Sequence, residues 1–191
     1  MELRIHEDKI FESVDYSNSV MINYEFTDCE FKNCNFTKCD LSDSVFMDCE
    51  FTDCNFSITK LNDCGIKNVN FIDCKIMGID FGKASSFLFS ASFRSCILDY
   101  STFAAKKMKK ANFINCSLKE VDFSGVDLTS AIFNNCDLFN ATFENTNLEK
   151  CDFRTARNYS FDPELNQLKK AKFSYVGIAG LLKKYDISIE F

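Results

Sequence analysis

The sequence predicts a repeat architecture wound on a five-residue unit, and three observations predict it. From Phe11 onward every fifth residue is large and apolar: Phe11, Tyr16, Met21, Phe26, Phe31, Phe36, Leu41, Phe46, Phe51, Phe56, Leu61, Ile66, Phe71, Ile76 and Phe81. Neither the 3.6-residue period of a helix nor the two-residue period of a strand produces that interval. All eleven cysteines, at 29, 34, 39, 49, 54, 64, 74, 96, 116, 136 and 151, stand two residues before a member of this series or of its continuation. The composition is skewed to match, with 22 phenylalanines against one proline, six glycines and no tryptophan, so one periodic constraint selects the residues.

The elements follow in order. Residues 1–23 carry the period weakly and are expected to form an N-terminal cap and an imperfect first turn of the repeat. Residues 24–157 carry it strongly. The series breaks at Gly82-Lys83-Ala84-Ser85-Ser86-Phe87 and resumes two residues out of phase, as Leu88, Phe93, Leu98, Phe103, Met108, Phe113, Leu118, Phe123, Leu128, Phe133, Leu138, Phe143, Leu148 and Phe153. Residues 158–191 abandon it and are expected to cap the end, because a repeat fold cannot leave its last turn exposed.

A chain of 191 residues with formal charge −6 suits one globular or elongated domain. No apolar run approaches the roughly 18 residues of a membrane span, and MELRIHEDKI is too charged to read as a signal peptide. A cytoplasmic protein with no membrane contact is expected. An odd number of cysteines without an export signal argues for reduced thiols rather than a disulfide framework.

Units such as CNFTK, CDLSD, ANFIN, VDFSG, VDLTS and CDFRT resemble those of the pentapeptide-repeat family: a small residue, Asn or Asp, Leu or Phe, then two mostly polar residues. The resemblance covers roughly residues 24–157. It implies an all-β fold, a right-handed quadrilateral parallel β-helix with four units to a coil and the central and small side chains pointing inward. Residues twenty apart then stack about 4.8 Å apart, one strand spacing. With the break counted as two extra residues, one column reads Phe31, Phe51, Phe71, Phe93, Phe113, Phe133 and Phe153, and another Cys34, Cys54, Cys74, Cys96, Cys116 and Cys136. The break is therefore expected to be a local bulge or short loop inside one domain. A zinc site would need three or four thiolates converging at about 2.3 Å on one ion. Thiols in a line do not converge, so the cysteines are expected to pack the core, with no metal or cofactor.

One inward position holds a lysine. Lys106, in Lys106-Lys107-Met108-Lys109-Lys110, occupies a small-residue site in the coil that stacks on the break. Two readings follow: a distorted coil whose lysines snorkel into water, or a basic patch of Lys106, Lys107, Lys109 and Lys110 that meets a partner.

At the C-terminal end Asp162-Pro163-Glu164 predicts a helix start, with Asp as cap and Pro at the first helical position. Ser174 precedes a predicted amphipathic helix over Tyr175–Tyr185, with Ile178, Leu181, Leu182 and Tyr185 on one face. Ile187, Ile189 and Phe191 alternate as in a strand and are too apolar to leave in water. The segment AKFSYVGIAGLLKKYDISI is similar to the C-terminal module of quinolone-resistance (Qnr) and related topoisomerase-protecting pentapeptide proteins. That resemblance implies a homodimer paired end to end through residues 175–191.

Catalysis is not expected. His6 is the only histidine and lies outside the strong repeats, so a Ser-His or Cys-His pair has no base there. No glycine pattern for a phosphate loop is present. Charge is the more informative feature, since residues 21–81 hold eleven acids and five bases, whereas residues 82–160 hold eight acids and ten bases. Asp28 over Asp48, Glu30 over Glu50 and Asp53 over Asp73 place like charges opposite one another, an arrangement that destabilises. Such columns either reflect drift on a stable scaffold or serve an electrostatic purpose; the family resemblance implies the second, with these six residues as the expected acidic target-contact surface. The resemblance implies an acidic rod that mimics duplex DNA in the DNA-binding saddle of a type II topoisomerase such as DNA gyrase, with no direct nucleic-acid binding. A rigid interaction scaffold with an unrelated partner is the alternative. Two departures from the Qnr pattern stand out: paired C-terminal ends would put the acidic half at the outer tips, and the break is too short for a long projecting loop.

Overall fold

Each unit of five turns the chain through one corner because its last residue takes the left-handed backbone conformation. The computed structural model describes residues 3–87, 89–188 and 190. Positive φ recurs at every fifth residue from Asp8 to Asp73, at Gly78, and from Ser95 to Lys150 with Gly125 among them. Asn and Asp tolerate this region better than other side chains, which is why they crowd the corner positions.

Between corners the chain runs as short parallel strands. On the first face β1 (Arg4–Glu7), β3 (Tyr24–Thr27), β5 (Val45–Met47) and β7 (Gly65–Lys67) form one sheet. On the second face β2 (Ile10–Glu12), β4 (Glu30–Lys32), β6 (Glu50–Thr52), β8 (Val69–Ile72), β9 (Ala91–Arg94), β10 (Asn112–Ile114) and β11 (Ile132–Asn134) form another. The third and fourth faces are joined by single parallel bridges, such as Asp15 to Asn35 to Asn55 and Asp40 to Lys60. There the second residue of the unit is often Asn or Asp, and its side chain accepts the N–H two residues on: Asn35 from Thr37 at 3.1 Å, Asp40 from Ser42 at 3.1 Å, Asp122 from Ser124 at 2.9 Å. These local bonds tighten the turn and leave too little extended chain for a strand. The result is a right-handed quadrilateral parallel β-helix, the hand favoured for parallel crossovers.

The core is a set of stacked aromatic columns. Phe31 and Phe51 stack with centroids 4.6 Å apart, Phe93 and Phe113 at 5.3 Å, Phe113 and Phe133 at 5.1 Å, and Phe133 and Phe153 at 4.9 Å. Neighbouring columns meet edge to face, as Phe113 meets Phe123 at 5.9 Å and 78°. Both arrangements are favourable for rings with a negative face and a positive edge. The phenylalanine column reaches Phe11 at one end and Phe173 at the other, at 4.8 Å from Phe31 and 5.3 Å from Phe153. The coil thus runs on past residue 157, with Phe153 N–H donating to the Lys172 carbonyl at 2.8 Å.

The cysteine column stacks through the break as the register requires, and the thiols do more than fill space. Cys54 donates to the Phe31 carbonyl at 3.4 Å, Cys74 to Phe51 at 3.3 Å, Cys96 to Phe71 at 3.4 Å and Cys136 to Phe113 at 3.3 Å, each reaching the coil below. Ser44, Thr59, Ser101 and Thr146 make the same bond with hydroxyls, at 2.7 to 2.8 Å. All eleven thiols are free and buried. Burial pushes Cys49 and Cys151 up to about 12, so they stay protonated and unreactive.

At the break Phe71 still pairs with Phe93, so the two extra residues are absorbed between Ser85, whose N–H meets the Cys64 carbonyl, and Ser90, whose N–H meets that of Ile66. Leu88, expected to resume the series, lies outside the described residues. Phe89 supplies a buried ring there, edge-on to Phe81 at 6.0 Å, and Phe87 stands 80% exposed.

Lys106 corrects both expectations about the basic segment, because it neither snorkels nor joins a surface patch. It is 1% exposed. Its ammonium donates to the Ala84 carbonyl and, at 3.2 Å, to Ser86 Oγ, and lies 5.3 Å from the centre of the Phe89 ring. The irregular loop leaves polar groups turned inward, and a long donor from the next coil satisfies them. Burial lowers the Lys106 pKa from 10.5, while Asp80 and Asp63 oppose the shift.

The C-terminal helix is shorter than the sequence predicts. Asp162 caps as expected, accepting Glu164 N–H at 2.8 Å, but Pro163–Leu165 is a single 3₁₀ turn. Of the helix expected over 175–185, only α1 (Ala179–Leu182) is α-helical, followed by a 3₁₀ turn over Lys183–Tyr185. Gly177 and Gly180 press against Tyr159, a Cβ at Gly180 falling 2.0 Å from the Tyr159 carbonyl oxygen. Two glycines in a short segment weaken its helix, and contact with Tyr159 fixes its position.

Candidate functional site

The four-sided coil assigns every outward residue to a face, so the site is a matter of which charges share one. Asp28 and Asp48 occupy successive corners after the first face, as the Asp28 N–H bond to Met47 O at 3.0 Å shows, and Asn68 donates to Asp48 at 2.7 Å. Glu30 and Glu50 are directly paired on the second face, with Lys32 bonded to Glu30 at 2.6 Å. Asp53 and Asp73 occupy the corner between the second and third faces, linked by the Asp53 N–H bond to Ile72 O at 3.1 Å. All six carboxylates belong to the N-terminal half, on two adjoining faces.

A longer acidic surface escaped the sequence reading. The fourth face carries Asp40, Asp43, Asp63, Asp80, Asp122, Glu144, Asp162 and Glu164. Lys60 pairs with Asp40 at 3.6 Å and Lys83 with Asp80 at 3.5 Å, while Lys184 reaches Asp162 at 2.7 Å and Glu164 at 2.9 Å. The Ser42 hydroxyl, bonded to Asp40, holds that carboxyl below its ordinary value, and the Lys184 ammonium does the same to Asp162 and Glu164. The signal was available, since Asp43 and Asp63 are twenty apart, but Lys60, Thr102 and Thr142 interrupt the columns.

At the C-terminal end the expected interface residues divide. Leu181 is buried against its own core, which corrects its assignment to an intersubunit surface. Ile178, Tyr185 and Ile187 are exposed and Leu182 is half-buried, and Tyr175 and Val176, within the expected segment but not among its named contact residues, add exposed apolar surface. Ile187 is not in a strand, and Ile189 and Phe191 lie outside the described residues. Of the basic segment, Lys107, Lys109 and Lys110 are exposed, Lys109 meeting Asp127 at 3.4 Å.

Inside the coil an apolar void of about 20 Å³, lined by residues that include Phe51, Phe71 and Ile76, is no larger than a water and offers no polar group to a substrate. Among the described residues no helix is long and apolar enough to cross a membrane.

Comparison with known proteins agrees with this geometry. Models for "Pentapeptide repeats (8 copies)" and "Pentapeptide repeat region" match residues 25–63 and 84–153. No curated protein matches the chain. Among solved structures, a trypsin-treated variant of QnrB1, described as a plasmid-mediated fluoroquinolone resistance protein, superposes with TM-score 0.62 at 18% identity, covering 98% of this chain and 92% of its own. Full-length QnrB1 gives TM-score 0.48 at 19% identity, covering 96% of this chain and 100% of its own. The repeat units, the stacked columns and the matched residues together place the chain in the pentapeptide-repeat family.

Proposed function

We propose that the protein is a binding protein that acts without catalysis, its acidic faces occupying a DNA-binding surface of a type II topoisomerase such as DNA gyrase. The fourth face carries this reading. Its eight carboxylates span six coil steps, about 29 Å at 4.8 Å per coil, or about one per 3.6 Å against one per 3.4 Å along a DNA strand. Lys60, Lys83 and Lys184 reduce the net line charge, so moderate and strongly salt-dependent affinity is expected. The face also reaches Asp162 and Glu164 beside the C-terminal end, so a dimer joined there keeps acid at its centre as well as at its tips. The fluoroquinolone-resistance role of QnrB1 supports the choice of target.

The test is DNA gyrase supercoiling with the protein titrated in, with and without a quinolone, at 50 and 200 mM salt. Salt-sensitive inhibition or drug protection that weakens when Asp43, Asp63, Asp122 and Glu144 become amides supports the reading. No effect at any dose overturns it and leaves a rigid scaffold for another protein, to be sought by pull-down. We further propose a homodimer through Ile178, Leu182, Tyr185, Ile187 and the segment to 191. Light scattering should show two copies for the full chain and one after truncation at Phe173; a dimer that survives truncation refutes this pairing.

A further inference from the structure

The first face reverses its charge at the break. Beyond it, the register brings four distant segments into one strip: Lys107 pairs with Asp127, Asp127 with Asn147 and Asn147 with Gln167. In the corner column beside them Lys110 bonds to Thr129 O, Ser130 to Glu149 O and Lys150 to Lys169 O. Exposed Lys107, Lys109, Lys110, Lys150, Lys169 and Lys170 therefore share a surface with only two carboxylates, Asp127 and Glu149, and Lys109 alone of the six is paired with one among the described residues. At the strip's start a groove of about 110 Å³ opens between Ser90 and the Lys107–Lys110 unit.

We propose that this strip binds the phosphate backbone of a duplex nucleic acid, without reading its sequence. The choice over an acidic protein rests on what the strip lacks. Protein interfaces are anchored by desolvated aromatic and aliphatic side chains, whereas the outward residues here are Lys, Asp, Glu, Asn, Gln, Ser and Thr; of the large hydrophobics of these units Met108, Leu128 and Leu148 are buried and Leu168 is half-buried, packed against the core. Ammonium groups on a rigid face suit point-charge contact with phosphates rather than bidentate recognition. The formal charge of −6 is an average over the whole chain and does not describe this strip. This inference is independent of the topoisomerase reading, which uses other faces.

Fluorescence anisotropy with a labelled 25-base-pair duplex of arbitrary sequence, from 50 to 200 mM salt, tests it. Five unpaired lysines on phosphates give a slope of log K against log salt of about −4.5, or roughly 500-fold weaker binding across that range. Combining Lys110→Gln, Lys150→Gln and Lys170→Gln should cut the slope by about 3, whereas Asp43→Asn with Asp63→Asn should leave it unchanged. The substituted lysines are exposed, and circular dichroism confirms that the variants fold. Absence of binding at 50 mM salt, binding indifferent to the lysines, or equal displacement of the duplex by polyglutamate, which would assign the strip to an acidic protein, each overturns the proposal.

Discussion

Replacing Lys106 by alanine sets the family's preference for a small inward residue against the contacts of this one. The neighbouring coils carry Ala84 and Val126 at the same site, so the repeat rule alone predicts that Lys106→Ala is neutral or stabilising. The structure predicts the opposite. Alanine keeps Cβ, so the substitution removes three buried methylenes, about 2.4 kcal/mol at about 0.8 each. It also orphans the Ala84 carbonyl, which costs about 1–3 kcal/mol more. Relief of the desolvated ammonium returns part of this, leaving about 2–4 kcal/mol, or roughly 4–16 °C in Tm for a chain of this size. Lys106→Met keeps the stem and isolates the charge. Because burial lowers the folded pKa, the unfolded chain binds more protons between that value and 10.5, so wild-type stability relative to Lys106→Met rises with pH across that window. Thermal melts of the three proteins from pH 7 to 10.5 measure both effects. An alanine variant as stable as wild type, or a methionine comparison flat in pH, refutes the argument.

Ile58 is the β-branched residue at a left-handed corner, φ +60°, and its side chain is 59% exposed. That conformation costs about 1–2 kcal/mol for an ordinary residue, so Ile58→Asn should stabilise by about 0.5–1 kcal/mol and raise Tm by about 1–4 °C; an unchanged or lower Tm would show that contact beside Gly78 outweighs the strain. Gly180→Ala drives a methyl to 2.0 Å from the Tyr159 carbonyl, which cannot yield as a side chain would. It should lift α1 from the coil, seen as faster hydrogen exchange at Gly180 and Leu181, and protection unchanged from wild type would contradict the packing described.

The parts legible in the sequence were those that repeat arithmetic fixes. Phe71 and Phe93 could be paired across the break because the phenylalanine and cysteine columns demanded the same two-residue correction, and one observation checked the other. The hydrogen-bonding role of the cysteines was less visible, yet Ser44, Thr59, Ser101 and Thr146 at equivalent sites signal a donor as well as a small volume. Lys106 was misjudged because snorkelling assumes that water is the only partner for an ammonium; here the irregular loop supplied carbonyl and hydroxyl groups that no regular coil would turn inward. The fourth face is hard to see in the sequence because its twenty-apart pairs, Asp43 with Asp63 and Glu144 with Glu164, lie far apart along the chain, and Lys60, Thr102 and Thr142 interrupt the column between Asp40, Asp80, Asp122 and Asp162. The helix over 175–185 was overextended because amphipathic spacing says nothing of the backbone contact that Gly177 and Gly180 make with Tyr159.

Charge in this molecule is segregated around the coil more than along it. The eight carboxylates and two lysines of the fourth face's own units sum to −6, equal to the formal charge of the whole chain. The first face is acidic before the break and basic beyond it. At physiological salt the screening length is about 8 Å, so a partner lying on one face responds mainly to that face and little to the total. The stacked aromatic core holds the faces at fixed angles, which keeps adjoining fields of opposite sign from collapsing onto each other as they would in a flexible chain. Overall acidity and pI are therefore averages, while the field that any partner would meet is set coil by coil, by which outward positions of the five-residue unit hold lysine and which hold aspartate.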